Sequence, residues 1–140
     1  MKQKIDVKKI ISEYEKYLYS FTWDSSGTLT TPYYISYNAI TNAVNRMEKF
    51  LDKEDLNYRL YTVAEPFNEK GYHLHFTAWI DGYNSTKTIE KIENVWHKAV
   101  GVKKRTNNKC RKYNPKCIKY ILKYILTKRT SYSFGGKAWN

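Results

Sequence analysis

Ile40, Ala43, Val44, Met47, Phe50 and Leu51 recur at helical spacing, so residues 36–53 are predicted to form a helix with one apolar face and Ser36 as its N-cap. A second helix is predicted over residues 86–99, with Ile89, Ile92, Val95, Trp96 and Ala99 turned inward and Gly101 just past its end. Between them residues 57–67 and 72–80 read as two strands of a hairpin, closed by Asp81-Gly82. Upstream, residues 8–19 fit a short amphipathic helix or an edge strand. Residues 17–23 alternate as a first core strand would, and Ser25-Ser26-Gly27 should break it. Residues 102–113 are too basic to bury much and read as a strand or an exposed loop. A last helix starts with Asn114 able to cap and Pro115 at the first helical position, where a missing N–H costs nothing. The aromatic tail, residues 131–140, is expected to pack back on the sheet. The order strand, helix, strand, strand, helix, strand, helix predicts an α+β fold: a central antiparallel sheet of about five strands with flanking helices.

Composition narrows the class. The 140 residues are 41% hydrophobic, 16% aromatic and 27% charged, which suits one globular domain over residues 1–140. No apolar run approaches the roughly 20 residues of a membrane span, and the polar start lacks the apolar centre of a signal peptide. A cytoplasmic location without membrane partners is the expectation. Cys110 and Cys117 lie in a basic stretch without zinc-site spacing and are expected to be reduced thiols.

The net charge of +12 is unevenly placed. Residues 94–140 hold 13 Lys or Arg and no acid, leaving 12 of the 25 basic residues and all 13 acidic ones in positions 1–93. A continuous positive face favours a polyanion through counterion release. Nucleic acid is the expected partner, with an acidic membrane surface as its competitor.

Tyr72-His73-Leu74-His75-Phe76 carries the sharpest chemical signal. Side chains two apart on a strand share a face, so both imidazoles project together, and the hairpin would bring Glu65 beside them. Two imidazoles and a carboxylate can hold a divalent ion while leaving positions open for substrate oxygens. Downstream, the helix starting near Asn114 places Ile118, Ile121, Leu122, Ile125 and Leu126 on one stripe. With Ile118 as zero, Tyr120 and Tyr124 fall at about 200° and 240°, away from that stripe. Lys116, Lys119, Lys123 and Lys128 flank them and could neutralise a phosphodiester. A phenol has a pKa near 10, so attack at neutral pH needs help from metal or lysine. Tyrosine forms covalent intermediates, and a phosphotyrosyl ester retains the energy of the broken phosphodiester.

These residues resemble the HUH endonucleases, specifically the replication initiators of rolling-circle plasmids, single-stranded DNA viruses and phages. Glu65, Pro66, Gly71 and Tyr72-His73-Leu74-His75-Phe76 look like that family's second motif, in which an acid and a His-hydrophobic-His strand bind Mg²⁺ or Mn²⁺. Tyr120-Ile-Leu-Lys123 resembles the nucleophile motif, with the tyrosine attacking and the lysine assisting. Tyr120, Tyr124 and Lys128 together resemble the two-tyrosine initiators of small isometric phages. Trp96 to Gly101 is similar to a Trp-to-Gly segment between those motifs, and Phe21-Thr22-Trp23 loosely matches the first motif. The resemblance spans about residues 17–128.

The resemblance implies an HUH, RNA-recognition-like sandwich and a metal-dependent, sequence-specific single-stranded DNA endonuclease and strand-transferase. Glu65, His73 and His75 would be metal ligands, Tyr120, Tyr124 and Lys123 catalytic, and Lys116, Lys119 and Lys128 DNA-binding. Partners would be single-stranded DNA at a replication origin and host replication proteins, with the protein a monomer or weak dimer. No Walker-type Gly-rich loop is present, so no helicase domain is expected. The rivals are a single-tyrosine transposase of a mobile element and a non-catalytic, RNA-recognition-like binder of single strands.

Overall fold

The computed structural model describes residues 7–67, 71–102, 108–122 and 131–139. Its elements run α1 (Val7–Tyr19), β1 (Ser25–Leu29), α2 (Tyr37–Lys53), β2 (Tyr58–Pro66), β3 (Tyr72–Ile80), α3 (Ser85–Val100), β4 (Lys109–Lys112), α4 (Lys116–Leu122) and β5 (Ser131–Gly135). The five strands form one sheet in the order β4-β1-β3-β2-β5, and every neighbouring pair is antiparallel. The expected α+β sandwich is the architecture observed.

The two long helices form where the apolar stripes predicted them. Ser36 caps α2, its side chain accepting from the Ala39 N–H, and Ile40, Ala43, Val44, Met47 and Leu51 are buried. Asn84 caps α3 by accepting from the Lys87 N–H, and Gly101 ends it with a left-handed φ of 71°. Both helices cover the sheet face that carries Leu29, Leu60, Ala64, Leu74, Phe76, Ala78 and Ile80. Burying each such Leu, Ile or Phe side chain contributes about 1.5–3 kcal/mol. Trp96 is fully buried there, and its indole N–H donates to Thr30 O at 3.0 Å.

On the other face α1 and α4 pack together over Tyr61 and Val63, with Leu18, Trp23, Ile118, Ile121 and Leu122 completing a second core. Arg59 is buried beside it. Its guanidinium sits 4.5 Å from the Trp79 ring centre and 4.8 Å from that of Phe21, and it donates to Thr22 O and Ala138 O. One cation thereby ties the loop after α1 and the chain's tail to β2. The tail itself supplies β5, pairing with β2 through Leu60↔Gly135 to Ala64↔Ser131.

Two expectations fail at the start of the chain. Residues 17–23 are not a strand: Tyr17 to Tyr19 end α1, and Phe21-Thr22-Trp23 lie in the connection to β1. Ile10, Ile11, Tyr14 and Leu18 supply a helical stripe that wins over the short alternation, and the Trp23 indole N–H reaches back to Leu18 O at 2.9 Å. Ser25-Ser26-Gly27 does not break a strand but begins one, an internal strand of the sheet. Small residues fit because the strands crowd: a Cβ on Gly27 would lie 2.5 Å from Lys109 O and 2.8 Å from Cys110 Cα. Sheet pairing overrides the weak strand propensity of Ser and Gly.

Candidate metal centre and cleft

The β2–β3 register decides which side chains meet. Glu65 pairs with His73 and Val63 with His75, so Arg59, Tyr61, Val63 and Glu65 of β2 share a face with His73, His75, Thr77 and Trp79 of β3. Phe67 N–H donates to Gly71 O at 2.6 Å where the hairpin closes. Gly71 has φ 82°, and a Cβ there would lie 2.1 Å from Ile35 O, so only glycine lets the start of β3 press against the segment leading into α2. That contact fixes the end of the strand from which both histidines project.

Glu65, His73 and His75 converge as the sequence predicted. His75 Nε2 lies 3.0 Å from Glu65 Oε2 and His73 Nε2 lies 3.3 Å from Glu65 Oε1. All three residues are buried, and one ligand atom from each falls within 4.8 Å of the others. That is close to the width of a single coordination shell with bonds of about 2.0–2.2 Å. His73 Nε2 is buried without a hydrogen bond, a cost that coordination to a cation would remove. The His75 pKa is lowered, first by burial and then by the neighbouring His73, against the opposing pull of Glu65. Both effects favour the neutral imidazole that a metal ligand needs. The group can therefore hold a metal ion.

Two residues not singled out from the sequence frame the ligands. Thr28 Oγ1 is 3.2 Å from His75 Nδ1, and the ring of Phe67 stacks on His73 with centres 4.5 Å apart. Neither was legible without the register, since Thr28 comes from β1, which pairs Thr28 with His75. The second partners of metal-binding imidazoles fix the tautomer and ring orientation.

Tyr120 stands beside the group, its ring centre 5.3 Å from that of His75 and its side chain 45% exposed. The helical angles predicted this: Ile118, Ile121 and Leu122 are buried while Lys119 and Tyr120 are exposed. Asn114 Oδ1 accepts from the Lys116 N–H at 3.0 Å to start α4, one residue later than expected. Lys123, Tyr124 and Lys128 lie outside the described residues. His97 is half-buried on α3, against the opposite face of the sheet.

His73, His75 and Tyr120 open onto a cleft of about 1410 Å³. Its floor is β1, with Ser26, Gly27 and Thr28; Lys116, Lys119 and Tyr120 of α4 form one wall; Lys109 and Arg111 of β4 lie at its far side. Cys110 and Cys117 also line it as free thiols, and burial pushes Cys110 up to about 12, which makes it a poor nucleophile. Among the described residues no helix is long and apolar enough to cross a membrane.

Comparison with known families matches residues 24–129, well over half of the chain, to the family described as Replication-associated protein ORF2. Comparisons with curated proteins and with solved structures find no match.

Proposed function

Since the chain belongs to the Replication-associated protein ORF2 family, we propose that it is a metal-dependent, HUH-type endonuclease and strand-transferase that nicks single-stranded DNA at a replication origin to initiate rolling-circle replication. The observation that carries this reading is the meeting of a buried Glu65-His73-His75 group with the exposed phenol of Tyr120 in one basic cleft. A binding module would need the cations and aromatics but has no use for a buried carboxylate and two imidazoles beside a tyrosine.

Glu65, His73 and His75 would hold Mg²⁺ or Mn²⁺, which supplies charge stabilisation at the scissile phosphate. Tyr120 Oη attacks phosphorus in line, forming a tyrosyl O–P bond as the P–O3′ bond breaks. The phenol gives up its proton and the departing 3′ oxygen gains one. The 5′ end stays on the protein as a phosphotyrosine, and the free 3′-hydroxyl can prime synthesis. Reversal by a second 3′-hydroxyl rejoins the strand and frees Tyr120. Lys116 and Lys119 offset the negative charge of neighbouring phosphates. Lys123 assists, Lys128 adds a further DNA contact, and Tyr124 serves as the alternate nucleophile. Residues 1–140 act in this scheme as a nuclease domain.

The test is covalent capture. Incubation with a randomised single-stranded DNA library and Mn²⁺ should give a protein band that carries DNA through a denaturing gel, and a chelator should abolish it. Tight DNA binding with no such band under any divalent metal would reduce the protein to a binder.

A further inference from the structure

One half of the sheet face that bears the metal group is covered and the other is bare. Over β2, Tyr61 and Val63 are fully buried beneath α1 and α4. Over β1 the same face carries only Ser26 and Thr28, too small to support a packed helix, and the cleft lies above them. Beyond β1, the edge strand β4 pairs Lys109 with Thr28 and Arg111 with Ser26. Paired residues share a face, so both cations stand on the side of His75. Lys109, Thr28 and His75 occupy one row across three strands, which sets Lys109 about 10 Å from His75 at the usual interstrand spacing. Arg111 also lies near enough to Cys117 of α4 to bias its thiol, so β4 and α4 face each other over the gap.

The charge is one-sided. Lys109, Arg111, Lys116 and Lys119 line the cleft, and no acidic side chain is among its lining residues. Lysines on an edge strand commonly serve to block strand addition. That role requires neither a shared face with the metal group nor a floor of small residues.

We propose that β4 is the outer rail of a single-stranded DNA track: the strand crosses the bare half of the sheet over Ser26 and Thr28, with Lys109 and Arg111 each neutralising a backbone phosphate next to the one held at Glu65, His73 and His75. This rests on the endonuclease reading for its placement of the scissile phosphate. The recognition is of the backbone, so it is sequence-tolerant and carries affinity.

The test measures binding apart from cutting. Fluorescence anisotropy of a labelled oligo-dT, in chelator and over a series of salt concentrations, gives the slope of log affinity against log salt. Each phosphate contact to a single strand contributes about 0.7 to that slope. The track predicts that K109A/R111A lowers it by about 1.4 and each single variant by about half as much. The charge-matched K49A/K53A control, on exposed positions of α2, should leave it unchanged. Covalent capture of wild type is run in parallel with Mn²⁺. A lower slope for K109A/R111A alone supports the track, and it does so even if wild type forms no adduct, in which case only the endonuclease reading falls. An unchanged slope, or an equal loss in K49A/K53A, overturns the track while an adduct leaves the endonuclease reading standing. If the double variant melts below the assay temperature, the single variants decide by the same criterion.

Discussion

Thr28 Oγ1 lies 3.2 Å from His75 Nδ1, so a hydroxyl on β1 meets the ring nitrogen that points away from Glu65. With Nε2 turned to the carboxylate, an Nδ1–H that donates to Thr28 fixes the tautomer in which Nε2 is free to bind a cation. Thr28→Val keeps the shape and removes the acceptor. Mn²⁺ affinity measured by titration calorimetry should fall about 10–100-fold, and Thr28→Ser should restore most of it. Equal affinity in the valine variant would show that the contact orients nothing.

Glu65 faces both imidazoles within 3.3 Å, which makes it the hub of the group. Glu65→Gln retains a hydrogen-bonding partner but loses the charge. Mn²⁺ binding and covalent capture of DNA should both be lost, with oligo-dT binding in chelator unchanged. If Glu65→Gln still binds Mn²⁺ like wild type, the three residues do not form the metal centre.

Gly27 has no room for a side chain: its Cβ would lie 2.5 Å from a β4 carbonyl. Overpacking of this kind typically costs about 1–3 kcal/mol, and here the strain falls on the pairing that holds β4. Gly27→Val should lower the midpoint of urea unfolding and weaken DNA binding together. A variant as stable as wild type would mean that β4 shifts outward without loss.

Asp24 supplies a pH signature remote from the metal group. Its carboxylate accepts from the Thr88 hydroxyl at 2.9 Å and the Ile80 N–H at 3.3 Å. Burial nonetheless raises its pKa above the ordinary 3.8, outweighing those bonds and the nearby Arg59 charge. The folded state therefore holds this proton more tightly than the unfolded chain. Its contribution to stability is fully present below the ordinary value and is lost as pH rises through the folded one. Asp24→Asn should flatten the stability profile in that interval, as read by denaturant unfolding at successive pH values. An unchanged profile would mean the carboxylate titrates alike in both states.

Much of this fold was legible because its signals are local. The stripes of α2 and α3, their caps at Ser36 and Asn84, and the β2–β3 hairpin follow from spacing alone, and with the hairpin came the meeting of Glu65, His73 and His75. The tyrosine helix was readable by angle as far as Tyr120. What was missed is set by partners far away in sequence. Ser25 to Leu29 has poor strand propensity and is a strand only because β3 and β4 pair with it. Thr28, Lys109 and Arg111 acquire their places from that pairing, so no local pattern marks them. The alternation at residues 17–23 misled because a helix end and an aromatic loop, drawn in by Arg59, imitate a strand over seven residues.

The most direct measurement is covalent capture with nucleophile variants. Wild type, Tyr120→Phe and Tyr124→Phe are incubated with the single-stranded library and Mn²⁺ and resolved under denaturing conditions, with the linked peptide identified by mass spectrometry. The account predicts a DNA-bearing band for wild type and for Tyr124→Phe, a link on Tyr120, and no band for Tyr120→Phe. A band of wild-type intensity from Tyr120→Phe would contradict it.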